Sequence, residues 1–335
     1  MVLNGCEWKR YNWRDMNHRE GCLFVFLVLV LLSVSASAQR ADSPDREKLI
    51  AVTIDDLPLN GPAIGTKRLD AMSRKLTTII KSRNVSAVGF VNESQIFNEQ
   101  GEADHRIGLL NLWADAGVEL ANHTYSHISF SDSPLERYQD DFVRGDTVIS
   151  KLMKKRGRTV RYFRHPFLHM APRAETETAF EAFLGARGYR VAPMTIDSVD
   201  WMVLTAYLEA KKRNDRESLR RITADYLSLL DRRFEYSERA AESLFGRAVP
   251  QVLLLHANEL NADNFAAVLE VIEKRGYRFV SLDQALRDSI YRNPPKYTPS
   301  SDWLYHWSAS LDKPWDPPAP PEYIQKAFRD GLAAK

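Results

Sequence analysis

The chain has 335 residues, 44% of them hydrophobic, with 46 Lys and Arg against 44 Asp and Glu. That length allows one large domain or two small ones with ample apolar material for a core. A formal charge of +2, with both signs interspersed and no Lys/Arg stripe carrying aromatics, excludes the usual footprint of a nucleic-acid binder.

Leu23 to Ser35 is a nearly unbroken apolar run, preceded by Arg19 and followed by Ala36-Ser37-Ala38. This is the layout of a secretory signal peptide. The run is short of the roughly 20 residues that a spanning helix needs, and an uncleaved N-terminal anchor is the alternative. The expectation is a leader over residues 1–38, with Met16 as an alternative start, a linker over 39–48, and an exported chain with no stable membrane partner after cleavage. Both cysteines, Cys6 and Cys22, fall in the leader, so no disulfide or thiolate chemistry is expected beyond it.

Leu49-Ile-Ala-Val-Thr-Ile-Asp-Asp-Leu-Pro58 reads as a buried strand that delivers two adjacent carboxylates, Asp55 and Asp56, at its end. Such a pair is costly unless a cation or hydrogen bonds compensate it; the plainer reading is an Asx-type turn. Helical spacing follows over Thr66–Lys81, a strand over Val85–Val91, a helix over His105–Asp115 and a strand over Val118–Ala121. Pro134–Lys155 reads as one long helix, Val160–Phe163 as a strand, Glu175–Arg187 as a helix and Tyr189–Pro193 as a strand. A charged helical stretch runs from Leu204 to Gly246, and strand Val252–Leu255 precedes helix Asn264–Lys274. Phe279-Val280 begins a last strand before Asp283–Tyr291. About seven strand–helix units in a chain of this size favour a closed or partly closed β/α barrel over an open doubly wound sheet. No glycine-rich phosphate loop follows any strand, which argues against a nucleotide cofactor. The tail from Asn293 to Pro321, with Trp303, Trp307 and Trp315, is too aromatic for a free linker and is expected to pack on the domain.

His123-Thr-Tyr-Ser-His127 places two imidazoles four residues apart, a spacing that shares one face on a helical turn. With the Asp pair they form a plausible two-His, one-Asp site, the pattern of catalytic zinc and also of non-haem iron. Three further strand ends carry reactive groups. Phe163-Arg-His-Pro-Phe167 offers Arg164 to a carboxylate, Asp197-Ser-Val-Asp-Trp201 offers two carboxylates and an aromatic wall, and Leu253-Leu-Leu-His256 ends in a histidine. In β/α barrels such strand ends build the active site. Each residue alone has a structural reading: ion pair, helix cap, core aromatic or core histidine.

Taken in order, these five segments resemble the motif series of the NodB-type polysaccharide deacetylases, metal-dependent carbohydrate esterases and amidases, over about residues 49–286. The resemblance implies an α/β fold, a distorted and partly open (β/α)7-type barrel, as a catalytic domain over residues 49–290, with 291–335 as a C-terminal extension. It implies Asp55 as catalytic base, Asp56, His123 and His127 as metal ligands, and Arg164 as the residue that orients the base. Asp200, ahead of Asp197, would set the protonation of the general acid His256. Trp201, Leu254 and Phe167 would face the substrate. One divalent ion is implied, Zn2+ first, with Co2+ or Ni2+ as substitutes, and a carbohydrate substrate. The implied activity is removal of acetyl groups from N-acetylated sugars such as chitin oligomers or peptidoglycan. An O-acetyl esterase of the xylan type, a small cyclic-amide hydrolase and an inactive carbohydrate-binding protein are the alternatives. The first motif departs from the family pattern Thr-Phe-Asp-Asp-Gly-Pro at Ile54 and Leu57, and a side chain at Leu57 is expected to narrow the loop beside the metal. His169 and Asn258-Glu259 are further candidates for shaping specificity.

Overall fold

The computed structural model describes residues 47–97, 101–294 and 296–333. The expected leader and most of the linker lie outside the described residues. Eight parallel strands form one sheet: β1 (Leu49–Leu57), β2 (Ala87–Val91), β3 (Glu119–Asn122), β4 (Tyr162–Phe163), β5 (Arg190–Val191), β6 (Ile196–Asp197), β7 (Gln251–His256) and β8 (Arg278–Phe279). Seven follow the order β5-β4-β3-β2-β1-β7-β6, and β8 pairs with the start of β1. The two edge strands are consecutive in sequence. A flat sheet of seven strands would hold its edges about 29 Å apart, whereas the link from Val191 to Ile196 spans at most about 18 Å. The sheet therefore curls into the distorted, partly open (β/α)7-type barrel.

The helices of eight or more residues among those described are α1 (Thr66–Ser82), α2 (Ala103–Asp115), α3 (Leu135–Arg144), α4 (Thr147–Lys154), α5 (Ala174–Gly185), α6 (Asp200–Lys212), α7 (Arg216–Phe245), α8 (Glu259–Lys274), α9 (Trp303–Ser310) and α10 (Glu322–Ala333). On β1, Ile50, Val52 and Ile54 join the large apolar cluster shared with the helices, while Ala51 joins a second cluster with Val88, Phe90, Ala121 and Val252 inside the curl. The period of two thus sends Ala51, Thr53 and Asp55 inward. Beyond β8, residues 299–303 run along the link between the edge strands, Met194 N–H donating to Ser301 O (3.0 Å) and Trp303 N–H to Met194 O (2.8 Å). The indoles of Trp303 and Trp307 both donate to the Ile290 carbonyl, and α9 packs on α7 and α10 on α6.

Several expectations change. Strand β6 has two residues, too few for any periodicity to register. The stretch after Leu204 is two helices that begin at Asp200, parted at Asn214, whose φ is +54°, and at Asp215, whose carboxylate caps α7 through Ser218 N–H. Asp283–Tyr291 is a single helical turn, Leu282–Ala285, followed by a 3-10 turn. The long helix over Pro134–Lys155 is α3 and α4, broken at Gly145. There the chain meets the loop that carries the paired histidines: a Cβ at Gly145 would lie 2.6 Å from the Thr124 carbonyl carbon and 2.7 Å from Tyr125 N. The end of α3 also holds that loop, Asp141 accepting from Tyr125 N–H and Ser126 N–H.

Because the contact is backbone on backbone, Gly145→Ala is expected to cost about 1–3 kcal/mol in urea unfolding. Gly108→Ala, at a position in α2 with nothing within 4 Å, is expected instead to gain about 0.5–1 kcal/mol.

Candidate active site

The sheet register decides which side chains meet. Asp55 on β1 is the direct partner of His256 on β7, and Asn122 on β3 partners Phe163 on β4, so the next residues, His123 and Arg164, emerge side by side. All leave the C-terminal ends of parallel strands, the end where β/α barrels place their chemistry. A cavity of about 460 Å³ opens there, lined by Asp55, Asp56, Asn60, His123, His127, Phe167, Leu168, His169, Asp197, Trp201, Leu254 and His256. Arg164 and Asp200 sit behind it, both with no exposed surface. A second cavity, of about 280 Å³ and lined by Met170, Glu181, Tyr189 and Trp303 among others, contains none of these groups.

Adjacent residues of a regular strand face opposite ways, yet both carboxylates of the dyad line one cavity. The strand register shifts between Ile54 and Leu57 and Asp56 adopts a left-handed φ of +62°, which turns its side chain to the same end as Asp55. Leu57 does not narrow the loop beside this site. Its side chain is fully buried and lies over Gly89, where a Cβ would come within 2.8 Å of Leu57 Cδ2. The left-handed step that a glycine would ease is taken one residue earlier, by Asp56.

The paired histidines are not on a helical turn. They lie in the loop after β3, where left-handed Thr124 and His127 fold the chain back and set the two rings edge to face, 5.0 Å apart. His123 Nδ1 donates to the Arg164 carbonyl at 2.8 Å. Burial holds this imidazole well below its usual range, at about 3, so the ring is neutral and Nε2 presents a lone pair. That atom is 3.6 Å from Asp56 Oδ1, and His127 Nε2 is 3.3 Å from the same oxygen. Asp56 Oδ1 is buried without a hydrogen-bond partner, while Oδ2 accepts from Asn60 Nδ2 at 2.8 Å. Among the described residues, Asp56, His123 and His127 form the one group of three whose donor atoms all lie within 4.8 Å. Two imidazole nitrogens converging on an unpartnered carboxylate oxygen, three ligand atoms in all, fit a divalent cation with an open position.

Arg164 supports the other carboxylate. Its guanidinium donates to Asp55 Oδ1 (2.8 Å), Thr53 Oγ1 (2.7 Å), Ala192 O (3.1 Å) and Pro193 O (3.2 Å), and it stacks over Phe90. Burial raises the Asp55 carboxyl above its usual range, against the pull of the Arg164 charge. His256 has the opposite setting to His123. Burial opposes its charged form, but Asp200 Oδ1 at 2.7 Å from Nδ1 overrides that and holds the ring protonated up to about 10.

Asp200 in turn accepts from His256 N–H, Asn258 Nδ2 and Asn261 Nδ2. Burial alone would raise its carboxyl, but these bonds and the His256 charge keep it below the usual range. Asp197 accepts from Val199 N–H and so closes the turn before α6; it does not bond His256. Asn60 and Asn261 were not foreseen as site residues. The first is hidden in an Asn-Gly-Pro turn. The second lies three residues after Asn258, whose side chain caps α8 through Asn261 N–H, and only that cap spacing points to it.

Backbone strain gathers at this site. Among the described residues nine other than glycine have positive φ. Asn84, Asn214 and Asp312 are turn residues of the kind that tolerate it. The other six are Asp56, Thr124, His127, Phe167, Leu168 and Val199, all in the segments that build the cavity. Outliers held in place by their surroundings are characteristic of functional sites.

Since His256 keeps its proton to a higher pH when folded than unfolded, its pairing with Asp200 contributes stability in full below about pH 6.5 and loses it as pH rises through about 10. The stability gap between wild type and Asp200→Asn, read by urea unfolding in chelator, is expected to be on the order of a few kcal/mol in mild acid and to narrow in alkali. A gap independent of pH would argue against the pair.

The family model described as polysaccharide deacetylase matches residues 42–180. No curated protein matches the chain. Among solved structures, a pseudoenzyme of the CE4 family from Bacillus anthracis is 16% identical, covering 72% of this chain and 66% of that one at a TM-score of 0.48. The peptidoglycan deacetylase PdaC from Bacillus subtilis is 18% identical, over 72% and 92%, at 0.45. A CE4 esterase from Streptococcus mutans is 16% identical, over 71% and 87%, at 0.49. The matched span takes in the first three of the five strand-end segments and stops before Asp200 and His256, and over that span the chain is similar to the polysaccharide deacetylase family.

Proposed function

We propose that the protein is a metal-dependent deacetylase that removes acetyl groups from N-acetylated sugars. The observation that carries the reading is the convergence of His123 Nε2 and His127 Nε2 on the orphaned Asp56 Oδ1, with Asp55 and His256 on the same cavity. Asp56, His123 and His127 would hold one divalent ion, Zn2+ in the first place and Co2+ or Ni2+ as substitutes. When bound, the ion would supply an acidified water and a polarised acetyl carbonyl.

The chain's own groups then divide the proton work. Asp55 has one oxygen fixed by Arg164 and Oδ2 turned toward His123, where it takes the proton of the attacking water as general base. His256, with Nδ1 committed to Asp200, offers its Nε2 proton to the departing amine. Asn258 and Asn261 keep Asp200 in place, so that the acid keeps both its charge and its orientation. Phe167, Trp201 and Leu254 line the same cavity and give it apolar surface for the sugar ring and the acetyl methyl. The apolar run at Leu23–Ser35 supports export of this activity, with the mature chain beginning near Gln39. N-terminal sequencing of secreted protein tests that, and full-length chain in the membrane fraction would favour an anchor.

Acetate release from chitin oligomers, peptidoglycan and acetylated xylan tests the substrate class, and release from xylan alone would select an O-acetyl esterase instead. His127→Ala is expected to lose both bound metal, by elemental analysis, and activity. Full occupancy in that variant would overturn the ligand assignment. Asp55→Asn is expected to retain the metal while acetate release falls roughly 10²- to 10⁴-fold. His256→Ala should suffer more on an amide than on an activated ester, whose leaving group needs no proton; equal losses would remove it as the acid.

A further inference from the structure

The cavity is walled in part by the Pro166–Leu168 turn and by the first turn of α6. Phe167 and Leu168 are consecutive left-handed residues, and Phe167 is 58% exposed. Trp201, in the first turn of α6, is half-buried at the cavity edge. The last fifty residues of the chain reach both. Ser301 N–H donates to the Leu168 carbonyl at 2.9 Å, Met170 N–H donates to Pro299 O at 3.3 Å, and Ser300 forms an antiparallel bridge with His169. From α10, the ring of Phe328 meets Trp201 edge to face, with centroids 5.1 Å apart. That helix is seated firmly: Ile324 is fully buried, and Gly331 lies so close to α6 that a Cβ would come within 2.8 Å of Thr205 Cγ2.

We propose that the C-terminal segment is a working part of the substrate cleft, in which residues 299–303 fix the Phe167–His169 wall and Phe328 is a positioning residue that holds the Trp201 indole toward the bound sugar. The proposal rests on the deacetylase reading for what the cleft binds, but the brace itself is independent of it. An indole at a cavity edge has several rotamers, and ordering it on binding costs affinity. An edge-to-face partner removes that cost beforehand. Phe328 touches no reacting group, so its loss falls on substrate binding rather than on the chemical step.

Phe328→Ala is expected to raise KM for a chitin oligomer about three- to tenfold, with kcat and its pH profile held, and Phe328→Tyr to restore KM. In a Trp201→Ala background, Phe328→Ala should add nothing further. A second readout needs no activity: in protein labelled with 5-fluorotryptophan, the Trp201 resonance, identified by its loss in Trp201→Phe, should shift and broaden in Phe328→Ala. An unmoved resonance, an unchanged KM, or losses that add in the double variant would each overturn the proposal. If wild-type protein releases acetate from none of the carbohydrates, the deacetylase reading falls, and the fluorine resonance still decides whether Phe328 braces Trp201.

Discussion

The interaction on which most of this structure depends is the buried ion pair of Arg164 with Asp55. A guanidinium with no exposed surface is tolerable only when its donors are satisfied, and four hydrogen bonds do so here. Their acceptors are spread over the barrel: Thr53 and Asp55 on the central strand β1, Ala192 and Pro193 on the link between the two edge strands. Orientation of the Asp55 carboxylate and closure of the sheet are thus one interaction. Breaking it would leave an uncompensated buried charge, which typically costs about 3–5 kcal/mol, and would loosen the curl at its seam.

Two histidines in the same cavity are driven to opposite states by their partners. His123 meets a backbone carbonyl and burial, and remains a neutral donor of electrons. His256 meets a carboxylate that three other donors hold ionised, and remains protonated. Their roles follow from these surroundings rather than from residue type, as in other sites where paired titratable groups are pushed apart.

Much of this was legible in the amino-acid sequence. Asp55-Asp56, His123 and His127, Arg164 and His256 each end or follow an apolar run, and strand ends are where a β/α chain collects its chemistry. What escaped depends on contacts between distant segments. The break at Gly145 has no cause within its own helix; it comes from the Thr124–Tyr125 backbone packed against it. The histidine spacing suggested a helical turn, because four-residue spacing is what helices use, but two left-handed residues bring the rings together instead. Leu57 drew attention as a departure beside the candidate metal site, and only its packing on Gly89 shows that it serves the core. The contact of Phe328 with Trp201 joins residues on separate helices, and no local pattern announces it.

The six left-handed residues around the cavity carry a wider consequence. For the five that are not Asp, at about 1–2 kcal/mol each, the combined strain is on the order of 5–10 kcal/mol, comparable with the entire net stability of an ordinary domain, about 5–15 kcal/mol. The cavity is therefore the region where conformational economy and chemical use conflict most. Relaxing Leu168 or Val199 with a residue at ease in that conformation would make a sturdier protein and a less defined cleft. Selection for thermal robustness alone would be drawn to these positions first, and would erode the geometry that the rest of the barrel is built to enforce.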